Sequence, residues 1–195
     1  QVPTYLLSGI FRKDQIFFKP YGGMMRRALH CFTHFFVQNE ESKMLLASLG
    51  ITDVDVVGDT RFDRVLQIKD ASKQLPLVEL FVKDAPRVFI AGSSWPPDEE
   101  IFVNYFQQHR DWKLIVAPHV IGEGHLAQIQ SLLKDRKVIR YTQATMEQVA
   151  EADVLIIDCF GLLSSIYHYA TVSYVGGGFG VGIHNVLEAA VWNIP

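Results

Sequence analysis

The sequence predicts an α/β fold, a parallel sheet with helices packed on both of its faces. Three observations carry that expectation. Near-continuous apolar runs such as RVFIAGS (87–93), KLIVAP (113–118) and ADVLIID (152–158) recur along the chain, as expected of strands buried on both faces. Stretches of helical periodicity lie between them, so strand and helix alternate. The polar and glycine-rich motifs fall just after the strands, where sheets of this kind hold their ligands.

Taken in order, VPTYLLS (2–8) reads as a strand. Met25, Ala28, Leu29, Phe32, Phe35 and Phe36 form a wide apolar stripe at helical spacing. Asn39 is placed to cap a second helix ending at Gly50, and VDVVGD (54–59) is a short strand. RVFIAGS leads into a helix with Ile101, Phe102, Tyr105 and Phe106 on one face; Leu126, Ile129, Leu132 and Leu133 mark the helix after KLIVAP. VIRYT (138–142) precedes Thr145 and Gln148, spaced as a capping box. ADVLIID leads to a helix bearing Leu162, Leu163, Ile166 and Tyr167. Last come VSYVGG (172–177) and a helix whose first turn carries His184, Asn185 and Glu188.

This order divides the chain into residues 1–55, the end of one α/β domain with a crossover, and residues 56–195, a second, incomplete parallel-sheet domain. Gln1 is not an initiator, and AAVWNIP stops where a helix should give way to a strand. The sequence therefore reads as a piece of a longer protein, with residues missing on both sides.

With 49% hydrophobic and 20% charged residues over 195 positions, the chain is core-rich rather than disordered. A net charge of −3 argues against a general nucleic-acid binder. No run of apolar residues is long enough to span a membrane, and no signal peptide is visible, so a soluble piece is expected. Cys31 and Cys159 fit a reducing compartment, as small buried apolar residues rather than a disulfide. They lack zinc spacing and no H-E-x-x-H occurs, so no metal is expected. No G-x-S-x-G signals a serine triad. QIFFKPYGGMMRRALHCFTHFF (15–36) mixes aromatics with Lys19, Arg26 and Arg27, and its helical spacing favours a core stripe over a membrane-facing one.

The most informative stretch is SYVGGGFGVGIHNVLEAAVW, residues 173–192. Glycines let a backbone approach a ligand closely, and a helix start offers unpaired N–H groups to an anion. Asn185 and Glu188, three residues apart, can face one ligand. The other reading is an ordinary strand–helix turn. GDTRFDRV (58–65) carries Arg61, whose planar fork suits a phosphate or developing anion, although a surface turn with a local Asp–Arg pair is the better reading of these residues alone. In AGSSWPPDEE (91–100), Gly92, Ser93 and Ser94 could cradle a sugar acid or phosphate, while Asp98, Glu99 and Glu100 complement a helix dipole. APH (117–119) puts His119 just beyond a strand, and DCFGLLSS (158–165) sets Phe160 and Gly161 before a helix. His30, His34, His109, His125 and His168 are expected to be structural.

Taken in order, GDTRFD, AGSSWPPDEE, VAPH, GLLSSIYHYA and GGGFGVGIHNVLEAAVWNIP strongly resemble the 3-deoxy-D-manno-octulosonic acid (Kdo) transferases of lipopolysaccharide synthesis. The opening VPTYLLSGIFRKDQIFFK looks like the branch found in Bacteroides-type bacteria. The resemblance implies two Rossmann-like domains facing a cleft, the GT-B architecture, with this chain mainly the C-terminal half. It implies transfer of Kdo from CMP-Kdo to a lipid A precursor, without metal or cofactor, at the cytoplasmic face of the bacterial inner membrane.

By the same resemblance CMP is held by Pro118 and His119, by Phe160, Gly161 and Leu162, and by the turn Asn185, Val186, Leu187 and Glu188, while Arg61 stabilises the transition state. Three departures stand out: Pro118-His119 where the family often has Pro-Arg-His, Ile183 where it has a second glycine, and Leu162 where a glutamate is common. The family's catalytic glutamate and its membrane anchor belong upstream of Gln1, so the membrane is met through that region and the piece alone should not turn over. Two other readings share these features. One is a UDP-sugar-dependent transferase or epimerase of GT-B architecture, separable by comparing cytidine with uridine nucleotides. The other is a non-catalytic nucleotide-binding module.

Overall fold

The computed structural model describes residues 2–195. The chain divides into two units, Gln1–Arg64 and Val65–Pro195. The first contains β1 (Tyr5–Gly9), α1 (Gly23–Leu29), β2 (His34–Val37), α2 (Glu40–Ala47) and β3 (Val54–Val56). Its three strands pair in parallel in the order β1-β2-β3. Phe11, Leu29, Phe35, Val37, Leu46, Ile51 and Val54 are buried together as its core. Asn39 caps α2 as expected, accepting from Ser42 N at 2.8 Å.

Phe35 and Phe36 do not continue the helical stripe. The helix stops at Leu29, and both phenylalanines sit in β2, paired on one side with β1 and on the other with β3. Burial alternates along that strand, so Phe35 and Val37 point into the core. Phe17 and Phe18 pack edge-on against Phe11 at 6.1 and 6.3 Å, whereas Met24 and Met25 of α1 stay exposed. Cys31 is exposed too, contrary to its expected burial; neither it nor Cys159 is disulfide-bonded.

The second unit follows α3 (Arg61–Asp70), which spans the division, and contains α4 (Pro76–Val82), β4 (Val88–Ser94), α5 (Pro96–Gln108), β5 (Lys113–Pro118), α6 (Glu123–Leu132), β6 (Val138–Arg140), α7 (Met146–Glu151), β7 (Val154–Ile156), α8 (Leu163–Ile166), β8 (Val172–Val175) and α9 (Leu187–Ala190). Five strands form one parallel sheet in the order β6-β7-β5-β4-β8. Successive strand residues serve opposite faces. Val88, Ile90, Ile115, Ala117, Leu155 and Ile157 join one core with α4 and α7. Ala91, Leu114, Val116, Val154 and Ile156 join another with α5 and α6. Both faces are covered, as the continuous apolar runs required. Each fully buried side chain of this size contributes roughly 1.5–3 kcal/mol.

The expected α5 face is only partly right. Phe102 and Phe106 are buried, but Ile101 and Tyr105 are exposed. The sequence spacing fits all four, and only the sheet decides how wide the covered stripe is.

Candidate functional site

The carboxyl ends of β4, β5 and β7 open onto a cavity of about 190 Å³. Its lining includes Ser93, Pro118, His119, Cys159, Phe160 and Gly161. Three local devices build it. His119 N donates to Ser94 O at 2.9 Å, tying the end of β5 to β4. Thr142 N and Thr142 Oγ1 both donate to the Asp158 carboxylate, fixing the loop after β7. Gly161 turns that loop at φ +81 with open space around it, a conformation that favours glycine. Phe160 is left 77% exposed at the rim. Burial, with the Asp158 charge, pushes the Cys159 thiol above its usual range, so it stays a thiol. Leu162 lies just before α8 and packs against the core rather than lining the cavity.

Beside this cavity three aromatic rings meet. Trp95 Nε1 donates to His184 Nε2 at 3.0 Å, and the two rings are nearly coplanar, 5° apart. His119 stacks across both, with centroids 4.8 Å from Trp95 and 4.4 Å from His184. His119 was readable as a ligand contact at a strand end and His184 as part of a helix start; Trp95 was not, because nothing local marks an indole whose partner lies 89 residues away.

The turn before α9 differs from its expected form. His184 and Asn185 precede the helix, which begins only at Leu187 and lasts a single turn. Gly180 and Gly182, at φ +127 and +98, lengthen the loop ahead of it. Asn185 and Glu188 nevertheless face each other, with Asn185 Nδ2 donating to Glu188 Oε1 at 3.1 Å. Asn185 Oδ1 accepts from Leu187 N at 3.2 Å, so Asn185 orders the turn as well. Val186 is exposed and lies between them. Tyr167, fully buried, keeps its hydroxyl protonated well above the usual phenol range through burial and, secondarily, the Glu188 charge.

Asp98 and Glu99 lie in the first turn of α5, where they complement its dipole, and are also buried hubs. Asp98 accepts from Trp95 N at 2.9 Å, Tyr174 Oη at 2.6 Å and Gly177 N at 3.0 Å, joining the ends of β4 and β8. Glu99 accepts from Ser94 Oγ at 2.8 Å and pairs with His125 Nε2 at 2.9 Å. Ser94 is thus consumed by the scaffold, while Ser93, at φ +53, reaches the cavity.

In the first unit, Arg61 lies at the start of α3 with its guanidinium on Asp59, the shortest contact being 2.6 Å. That hydrogen-bonded pair holds the Asp59 carboxyl below the usual carboxylate range. Among the described residues no group of three or more His, Cys, Asp or Glu side chains could hold a metal.

A glycine-rich crevice at the carboxyl ends of a doubly covered parallel sheet is the ligand-binding architecture of nucleotide-binding α/β proteins. Residues 1–64 match the family model described as 3-deoxy-D-manno-octulosonic-acid transferase (kdotransferase). A 3-deoxy-D-manno-octulosonic acid transferase of Rickettsia prowazekii (strain Madrid E) is 29% identical over 170 residues, covering 83% of this chain and 35% of that protein. The transferase of Aquifex aeolicus (strain VF5) is 30% identical over 111 residues, covering 54% and 30%. The chain spans about a third of the length of these relatives.

A solved structure, the C-terminal CMP-Kdo binding domain of WaaA from Acinetobacter baumannii, superposes with a TM-score of 0.50 at 21% identity, covering 69% of this chain and 67% of that one. Over most of its length the chain is similar to Kdo transferases, and it shares its parallel-sheet fold with that solved domain.

Proposed function

We propose that the chain supplies the donor-nucleotide site of a glycosyltransferase that moves Kdo from CMP-Kdo to a lipid A precursor. One observation carries the reading. Pro118 and His119, at the end of β5, line the same cavity as Phe160 and Gly161, although β6 and α7 lie between them in sequence. Its volume of about 190 Å³ is below the roughly 300–1,000 Å³ of a complete small-molecule site. It accommodates one part of a nucleotide, the pyrimidine ring, and leaves ribose and phosphate in the open crevice.

Glu188, oriented by Asn185, accepts from a ribose hydroxyl, with Val186 and Leu187 completing that turn and Leu162 supporting the loop before α8. Arg61 meets the phosphate charge that grows as CMP departs. The acceptor hydroxyl needs a general base, a role assigned to no residue of this chain. The donor is a substrate, and no cofactor is assigned. A lipid acceptor places the reaction at a membrane surface, the cytoplasmic face of the inner membrane; among the described residues no helix is long and apolar enough to cross one.

Calorimetric titration of the chain with CMP and with UMP tests the reading. Saturable CMP binding with a weaker UMP response supports it, and equal or absent responses overturn the cytidine assignment. Glu188→Gln should weaken CMP binding by roughly 1.5–3 kcal/mol, the loss of a charge-assisted hydrogen bond, at an unchanged melting temperature. Undiminished binding would reduce Glu188 to a residue of the helix surface.

A further inference from the structure

An indole N–H can only donate. With Trp95 Nε1 at 3.0 Å, His184 Nε2 must be the acceptor and carries no proton. The proton of the neutral ring therefore sits on Nδ1. The two rings lie 5° from parallel with centroids 6.4 Å apart, the near-coplanar arrangement that a linear N–H to ring-nitrogen bond requires. His119 lies flat across both, tilted 23° and 21°, so neither ring can swing without unstacking. On a third side, a Cβ added at Gly177 would stand 3.0 Å from His184 Cδ2, so that edge is closed as well. What remains is Nδ1, which has no hydrogen-bond partner among the described residues.

We propose that Trp95 is a positioning residue that locks His184 as an Nδ1–H donor to an oxyanion of the donor substrate, with His119 holding the pair flat. The ligand part of this inference rests on the nucleotide-sugar reading above. A donor fixed in this way offers its hydrogen bond from the uncharged ring, and its direction is set by the bond on its other nitrogen. Two sources supply an oxyanion, the phosphate of CMP and the carboxylate of Kdo.

The test uses the 195-residue chain labelled with ¹⁵N at histidine and read by long-range proton–nitrogen NMR at neutral pH, with His184→Asn locating the His184 signals. Unliganded protein should show His184 protonated on Nδ1 and bare on Nε2. A signal from the opposite tautomer overturns the proposal. Adding CMP should shift Nδ1 where cytidine does not; a shift with free Kdo but not with CMP would make the carboxylate the partner. CMP bound with no movement of Nδ1 from either source overturns the ligand assignment.

Trp95→Phe keeps an aromatic ring in the stack and removes the N–H. It should release the tautomer and lower CMP affinity about tenfold while leaving cytidine affinity unchanged; undiminished CMP binding overturns the proposal. The Asn of His184→Asn carries its amide near the place of Nδ1 and needs no indole, so in that background Trp95→Phe should have no further effect on CMP. A further loss there would make Trp95 merely structural. If Trp95→Phe does not fold, the unliganded tautomer and the CMP-induced shift decide the matter in the unsubstituted chain. Failure of that chain to bind CMP at all defeats the donor reading and the ligand assignment together, while the tautomer lock still stands or falls on the unliganded spectrum.

Discussion

Two turns that follow strands offer nitrogen-bearing side chains, Arg61 after β3 and His184 after β8, and their surroundings differ. Arg61 is satisfied by Asp59, two residues earlier, through Nε at 3.0 and 2.9 Å, Nη2 at 2.6 Å and its own backbone N–H at 3.0 Å. Its side chain is still 71% exposed. His184 takes its partner from the far end of the unit in sequence, is roofed by His119, and spends only one ring nitrogen. A turn that closes on itself is stable before any ligand arrives, so a ligand must displace the internal partner. A turn finished by distant elements can leave one group open, because the fold rather than the neighbour fixes it.

That distinction also sorts what the sequence made legible. Pro118, His119, Phe160 and Gly161 could be placed because their position depends on local chemistry, a strand end followed by a turn-forming residue. The parallel sheet was legible for the same reason, since a strand covered on both faces cannot afford polar residues. Trp95, Asp98 and Glu99 were not, because their partners Tyr174, Gly177, His184 and His125 come from β8, the loop after it and α6. Phe35 and Phe36 fit a helical stripe as well as a strand, and it took pairing with β1 and β3 to decide. The delayed start of α9 follows from glycines at positive φ, whose effect on loop length no periodicity reports.

The largest expected effect separates the two turns through their glycines. Gly177 sits at φ +96, and an added Cβ would collide with Gly182 O and press on His184 Cδ2. Gly58, at φ +79 before Arg61, has nothing within 4 Å. Gly177→Ala combines left-handed strain with overpacking and should cost about 2–5 kcal/mol. Gly58→Ala pays the strain alone, about 1–2 kcal/mol. Denaturant unfolding of the two variants reads the difference directly, and equal losses would erase the contrast between a long-range and a self-contained turn.

A smaller effect is expected at Asp98, which ties the β4 and β8 ends together. Asp98→Asn keeps the shape but turns one acceptor oxygen into a donor facing other donors, a loss of about 1.5–3 kcal/mol. Tyr174 reports on it independently. Burial, then the hydrogen bond to Asp98 and its charge, raise the Tyr174 phenol well above its ordinary range. A group raised in the folded state stabilises fully below its unfolded value and loses that contribution as pH climbs through the folded one. The unsubstituted protein should therefore lose stability on the alkaline side as Tyr174 ionises. In Asp98→Asn, spectrophotometric titration should show that phenol moving back toward its ordinary range. An unmoved titration would mean that burial alone raises it.

Arg61→Ala should disturb stability least. The pair is local and solvent-facing, and exposed ion pairs of this kind are screened. Arg61 lowers the Asp59 carboxyl chiefly through its hydrogen bonds. Whatever the pair contributes is therefore present above the ordinary carboxylate range and disappears as pH falls through the lowered value. Melting curves of the variant and the unsubstituted chain should superimpose at neutral pH. The informative readout is turnover in a transferase assay that includes the acceptor, with this segment joined to the region that supplies the general base. If Arg61 releases Asp59 to meet charge that develops only as CMP departs, Arg61→Ala lowers kcat and leaves the donor KM unchanged, the signature of an interaction made in the transition state. A raised KM with intact kcat would make Arg61 a ground-state donor contact. Unchanged kinetics would leave the Asp59–Arg61 turn closed on itself, with the anion-binding work falling to His184.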